Sequence, residues 1–509
     1  MKQTKYYLYV ILVLLLFSGL SSALAQQAAL PKSNWQNLDL KTDGVFGMST
    51  EKAYLEILKE KKVVPVVVAI IDGGVDIEHE DLKPIIWTNS KEIAGNGKDD
   101  DGNGYIDDVH GWNFLGSSKG SFHFDNIELV RLLRKAIKKD STSDETKRLQ
   151  TELDQKIQAL KSGLNTIEYQ RHVLLGILKK MGKPSPTEAE FRKYHYQNDE
   201  EAKVLILIVR GLKDDAKYLK TVEDKYNQYK DQIKYLVNIN YDPRAENPEY
   251  KMNNYGNENV KGSEPSHGTH VAGIIAAIRD NGLGIKGVAA PVQLMVLRTI
   301  PEGDALDSEV ANSIRYAVDN GAKVINISIS KMESPQRQLV DEAVQYAMEK
   351  DVLVVHSAGN DGKKEETESD FPRREYEKGG MAEAWIEVGA SGWRDDESLL
   401  SWFTNYGKQT VDVFAPGVAI FSTFPENNYK YENGTSMATP MVSGLAALIR
   451  AYYPKLTAVQ IKNIILKSVI KINHKVKSRD GENLNFSELC SSGGIVNVYS
   501  AMRMVENIK

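Results

Sequence analysis

Acyl transfer needs a hydroxyl, an imidazole and a carboxylate that meet, and this sequence offers each in a setting that could present it. Residues 63–74 read VVPVVVAIIDGG, a run apolar enough for the middle of a sheet that ends in Asp72 and two glycines. A carboxylate at the end of a buried strand needs a partner, because an isolated buried charge is costly. His267 opens HGTHVAGIIAA and Ser436 lies in GTSMATP ahead of MVSGLAALIRAYY, so each stands at the start of an apolar helical pattern. A hydroxyl becomes a nucleophile when an imidazole takes its proton, and the imidazole needs a carboxylate to fix its tautomer and stabilise its charged form. The oxyanion of the tetrahedral intermediate then needs donors. The Ser436 N–H at a helix start and the side-chain amide of Asn360, which closes DVLVVHSAGN, are suited to that task.

A second loop has the chemistry of a hard cation. In DDDGNGYIDD, residues 99–108, the side chains of Asp99, Asp101 and Asn103 alternate, Gly104 allows a sharp turn, Tyr105 offers a carbonyl and Asp107 follows. This is the opening of a calcium loop. The position where a helix–loop–helix site wants Glu holds His110, and neither flank reads as a helix, so a calcium loop in a different setting is expected.

The elements that must position these groups alternate. Short β-branched runs at 63–71, 294–300, 323–329, 351–355 and 385–388 are separated by helical patterns at 308–320 and 336–350. That alternation predicts an α/β fold, a mostly parallel sheet with helices on both faces. Ligands bind such sheets beyond the carboxyl ends of the strands, where Asp72 and Asn360 both fall. Residues 121–240 differ in style, with long charge-rich helical patterns and few glycines, and are expected to form an inserted all-α hairpin or small bundle. A structural appendage, a lid and a docking arm for a protein partner are three readings of it.

The motifs IIDGGVD, HGTHVAG, SAGN, FAPG at 414–417 and GTSMATP, in this order, resemble those of the subtilisin-like serine peptidase family. The resemblance covers most of residues 34–503 apart from the helical insertion. It implies a three-layer subtilisin-like fold and an endopeptidase acting on polypeptides, with Asp72, His267 and Ser436 as the triad and Asn360 in the oxyanion hole. By the same resemblance Ser328, Ile329 and Ser330 form the extended strand that pairs with substrate, and structural calcium is expected at the acidic loop. Two positions depart from the family. Gly73 stands where Ser or Thr is usual, removing a hydroxyl that can bond the carboxylate. Ser330 and Lys331 replace a pair of glycines, which puts substrate preference in doubt and predicts a narrowed rim. A protein that kept the fold as a catalytically weak or inactive binding scaffold is the competing function. For the enzyme, activity is expected to rise between about pH 6 and 8, since the imidazole must be neutral to accept a proton.

The 509 residues carry a net charge of -5, which gives no basic footprint for nucleic acid. The start combines Lys2 and Lys5, an apolar stretch at 7–17 and Ala23-Leu24-Ala25, the pattern of a secretory signal cleaved after Ala25. Export to the periplasm, cell surface or medium is therefore expected, with no transmembrane segment in the mature chain. Cys490 is the only cysteine, so no internal disulfide can form. The expected organisation is a signal at 1–25, an N-terminal segment at 26–62, a catalytic domain at 63–120 and 241–509, and the insertion at 121–240.

Overall fold

The computed structural model describes residues 30–59, 61–214, 217–245, 247–251, 255–365 and 370–507. The expected signal at 1–25 lies outside them. Among the described residues no helix is long and apolar enough to cross a membrane. The chain divides into two compact units, one of residues 1–123, 247–301 and 305–509, the other of 124–246 and 302–304.

The larger unit is built on a nine-stranded sheet. Its strands are β1 (Val66–Asp72), β2 (Gly111–Asn113), β3 (Val292–Arg298), β4 (Val324–Ile327), β5 (Leu353–Ser357), β6 (Trp385–Ser391) and β7 (Val413–Pro416). A separate hairpin, β8 (Ile420–Phe424) with β9 (Asn428–Glu432), follows, and the short β10 (Ile470–Lys471) and β11 (Gly494–Ile495) complete the sheet. The order is β10-β11-β7-β6-β5-β4-β1-β3-β2, parallel throughout except between β10 and β11. This is the mostly parallel α/β architecture that the alternation predicts.

Successive residues of β1 separate into two cores. Val66, Val68 and Ile70 join the cluster containing Val271 and Ile274, whereas Ala69 and Ile71 join the one containing Ile314 and Val344. Side chains alternate along a strand, so a strand covered on both faces must be apolar at every position, and 66–71 is. The same parity turns Asp72 toward the layer that holds His267. A register slip of one residue would turn it away.

The smaller unit is helical: α1 (Glu128–Lys139), α2 (Asp144–Met181), α3 (Asp199–Asp214) and α4 (Tyr218–Asp231). With 38 residues, α2 is about 57 Å long. It spans two apolar clusters, giving Leu149 and Leu153 to one with Leu129, Val130 and Leu133, and Ile167, Val173 and Ile177 to another with Val204, Ile208 and Val222. The first turn of α1 has no cap of its own. Asp304 supplies one, its carboxylate accepting from the Glu128 N–H at 2.7 Å.

The longer helices of the larger unit are α5 (Ser266–Ala276), α6 (Asp307–Asp319), α7 (Arg337–Glu349), α8 (Thr435–Tyr452), α9 (Ala458–Lys467) and α10 (Val498–Glu506). Residues 30–59 also pack into this unit rather than standing apart. Trp35 is fully buried and its indole N–H donates to the Ala419 carbonyl at 3.1 Å.

Candidate active site

Three neighbouring parallel strands, β1, β4 and β5, release their chains at the same end, and the candidate residues sit there. Asp72 is the last residue of β1, Ser328 follows the last residue of β4, and Asn360 stands three residues beyond β5. Helices α5 and α8 pack on one another and carry His267 and Ser436 in their first turns.

His267 Nδ1 lies 2.9 and 2.8 Å from the two carboxylate oxygens of Asp72. A carboxylate only accepts, so Nδ1 carries the proton and Nε2 is left as the basic nitrogen of the neutral ring. The Asp72 carboxylate is buried and His267 is partly exposed. Gly268 permits the contact: a Cβ there would stand 2.2 Å from the Gly74 carbonyl oxygen, so any other residue would push the start of α5 off the end of β1.

The hydroxyl that the family places after the carboxylate is replaced here by backbone. The Gly73 N–H donates to Asp72 Oδ1 at 2.7 Å. Arg298, fully buried and in register with Asp72 on β3, donates to the Gly73 carbonyl at 3.1 Å, to Asn113 Oδ1 at 2.9 Å and to the Phe122 carbonyl at 2.8 Å. Burial holds its guanidinium down at about 10. The turn is thereby braced on both sides.

Ser436 and Ser328 are joined reciprocally. The Ser436 hydroxyl donates to the Ser328 carbonyl at 2.9 Å, and the Ser328 hydroxyl donates to the Ser436 carbonyl at 3.2 Å. That second bond exists because Pro440 lies four residues on, within α8, and has no N–H to give the Ser436 carbonyl. Asn326, fully buried on β4, extends the chain by donating to Ser328 Oγ at 2.9 Å and accepting from Ser443 at 2.9 Å. Asn360 Oδ1 accepts from the Thr435 N–H at 2.9 Å and the Thr435 hydroxyl at 3.1 Å, which fixes the orientation of the amide.

The strand at 328–331 does not narrow the rim through its lysine. Lys331 is buried, with its ammonium 2.7 Å from Asp307 and 2.8 Å from the Ala305 carbonyl, and its backbone pairs with Phe371. Beneath it, His356 has an acceptor at each ring nitrogen, Glu387 at 2.8 Å and the Ile329 carbonyl at 2.9 Å. Its grip on the strand at 328–331 has no signal in the sequence. His270 is wholly buried, one ring nitrogen 3.1 and 3.0 Å from the carbonyls of Ile420 and Lys430. Burial depresses it to about 3, so it is a neutral structural group. His79, which has no assigned role in the sequence, caps its own turn through the Asp81 N–H and edges onto Tyr429.

In the acidic loop Asp99 and Asp101 meet a residue that the spacing did not indicate. Their carboxylate oxygens and one of Glu92 lie within 4.8 Å of one another. Of the other expected ligands, Asp107 accepts from the N–H groups of Asn96 and Gly97 at 3.1 and 2.8 Å, and the Asn103 amide donates to Asp108 at 2.9 Å. Tyr105 packs edge-on against Tyr316 at 4.9 Å and Trp112 at 5.1 Å, and burial pushes its hydroxyl up to about 12. Asp108, fully buried, accepts from Asn89, Asn103 and Tyr316 and anchors the loop to the core, and burial raises its carboxyl.

Over 185 residues the chain is 42% identical to a thermophilic serine proteinase of Bacillus sp. (strain AK1), covering 36% of this chain and 42% of that protein. It is 38% identical to subtilisin DY of Bacillus licheniformis over 39% of this chain and 68% of the relative, and 38% identical to thermitase of Thermoactinomyces vulgaris over 38% and 64%. The chain thus matches less than half the length of the first of these relatives. The subtilase family model matches residues 65–493, which takes in β1 with Asp72, the start of α5 with His267 and the start of α8 with Ser436, and on that match the chain belongs to the subtilase family.

Proposed function

We propose that this subtilase is an exported serine endopeptidase that cleaves polypeptides through an acyl-enzyme on Ser436. The observation that carries the reading is the contact of His267 Nδ1 with both oxygens of Asp72, which leaves Nε2 as the base. Ser436 Oγ attacks the scissile carbonyl carbon while its proton passes to His267 Nε2, and Asp72 stabilises the imidazolium. Before attack the hydroxyl leaves the Ser328 carbonyl and turns to the imidazole. Charge on the carbonyl oxygen falls between Asn360 Nδ2 and the Ser436 N–H. Collapse expels the amine, which takes the proton from Nε2. Water then attacks the ester by the same route and frees the acid.

Calcium suits the acidic loop by donor type. Three carboxylates converge, and Glu92 Oε2 is a buried oxygen with no hydrogen-bond partner among the described residues. Glu92, Asp99 and Asp101 would hold the ion, which supplies counter-charge to the loop and takes no part in the reaction. The test of the enzyme reading is peptide hydrolysis followed by mass spectrometry of the products. Cleavage lost in Ser436→Ala, and lowered about 10²–10³-fold in kcat by Asn360→Ala, is the expected result. Equal cleavage by Ser436→Ala would sink it, and a wild type without hydrolysis would favour the scaffold.

A further inference from the structure

We infer that Arg298 is a positioning residue for catalysis, holding the turn after Asp72 so that the Gly73 N–H keeps the carboxylate aimed at His267. The inference rests on the proposed reading of Asp72, His267 and Ser436 as a triad. It assigns to a buried arginine the work that the family pattern gives to a hydroxyl at position 73.

Gly73 and Gly74 follow the carboxylate directly, and glycine restrains its own backbone least. A turn that begins with two glycines needs fixing from outside if one of its N–H groups is to orient a carboxylate. Residues 298–300, at the end of the neighbouring β3, supply this. The Asp72 carbonyl accepts from the N–H groups of Thr299 and Ile300 at 2.8 and 3.2 Å, which holds the peptide whose N–H lies 2.7 Å from Asp72 Oδ1. Arg298 Nε donates to the Gly73 carbonyl at 3.1 Å and so holds the next peptide. Both peptide planes that flank the Gly73 Cα are thus set by one stretch of chain.

Arg298 is itself fixed. It stands in register with Asp72 on one side and Asn113 on the other. Its Nη1 donates to Asn113 Oδ1, and that amide is oriented by the Leu115 N–H at 3.0 Å and by donation to Ser121 and Asn257, each at 2.7 Å. Its Nη2 donates to the Phe122 carbonyl at 2.8 Å. Gly262 leaves the guanidinium its space, since a Cβ there would stand 2.2 Å from Nε. All three of these acceptors are neutral. Burying a cation against neutral groups is costly, which is why the guanidinium is held down at about 10, and an apolar side chain of similar size would fill the position at lower cost. What position 298 gains from an arginine is therefore its directed bonds, and the one to Gly73 falls on the catalytic turn.

The experiment compares wild type, Arg298→Met and Arg298→Lys, each with and without Gly73→Ser, as full chains with calcium on one peptide. Competent sites are counted at completion of fluorophosphonate labelling, so that a misfolded fraction is not scored as slow catalysis. Arg298→Met is expected to lower kcat per labelled site by about tenfold or more, with KM within about twofold of wild type. Arg298→Lys, which keeps the charge but has one ammonium for three acceptors, should lose less. Gly73→Ser returns a hydroxyl to the carboxylate, and is expected to raise kcat by a larger factor in both Arg298 variants than in wild type. An arginine that served stability alone would change the number of sites and leave kcat per site as in wild type. That result, or one factor for Gly73→Ser in every background, overturns the inference and leaves the nucleophile standing. Where Arg298→Met yields no sites, the lysine variant decides between the same outcomes. Wild type that fails to label removes the triad reading and this inference with it.

Discussion

The Ser436 carbonyl accepts a hydrogen bond from the Ser328 hydroxyl at 3.2 Å, in the place where Pro440 withholds an amide. The proline of GTSMATP thus opens the first turn of α8 to a side chain from the residue after β4, and the backbone of Ser436 is tied to the strand expected to hold substrate. Ser328→Ala would leave the Ser436 carbonyl and the buried Asn326 amide without their partner. A loss of about 1–3 kcal/mol is expected, read by urea unfolding, whereas unchanged stability would show that the pair carries no energy.

The replacement of the usual hydroxyl by the Gly73 N–H makes a second prediction. A Cβ at Gly73 would meet only the Ile300 carbonyl oxygen, at 3.2 Å, so Gly73→Ser should fold within about 1 kcal/mol of wild type. Gly74 is different. Its φ is +126° and a Cβ would stand 2.2 Å from the Lys261 carbonyl oxygen, so Gly74→Ala should cost more than about 3 kcal/mol. Thermal melts of the two variants compare them directly, and equal melting points would contradict the geometry.

Acid should weaken the fold through His270. Its ring is held near 3 in the folded state by burial, while an unfolded chain takes up the proton at the ordinary value of about 6.5. The unfolded state therefore binds more protons between those limits. Stability is complete above about pH 6.5 and falls by up to about 1.4 kcal/mol per pH unit below it. His270→Gln removes that titration, so denaturant midpoints between pH 4 and 7 should show a shallower slope for the variant than for wild type.

Calcium should be visible without any assay of activity. Binding at about a hundred times the dissociation constant adds about 2–3 kcal/mol, so a chelator should lower the melting temperature by several degrees and calcium should restore it. Glu92→Gln and Asp101→Asn should each abolish the shift. A chelator response that survives in both would move the ion elsewhere.

The elements and the candidate site were legible for different reasons. Residues 66–71 are apolar at every position because both faces of β1 are covered, and the ends of 308–320 and 336–350 fall within a residue of the helices found. His267 and Ser436 could be read because each opens an apolar helix within a distinctive motif. What could not be read depends on contacts distant in sequence. Glu92 meets Asp99 and Asp101 only because the chain folds back, and nothing around it resembles a ligand set. The direction of Lys331, expected at the rim, is decided by Asp307 on α6. The three-residue β2 is too short for any periodicity, and its place at the edge of the sheet comes from pairing with β3.

The central claim is that Ser436 is a nucleophile activated by the pair of His267 with Asp72. Intact-mass analysis of the calcium-loaded chain after treatment with a fluorophosphonate tests it most directly. The account predicts one adduct, mapped to the peptide containing Ser436, absent from Ser436→Ala and formed far more slowly by His267→Ala. An adduct on another residue, or no adduct on a folded wild type, would contradict it.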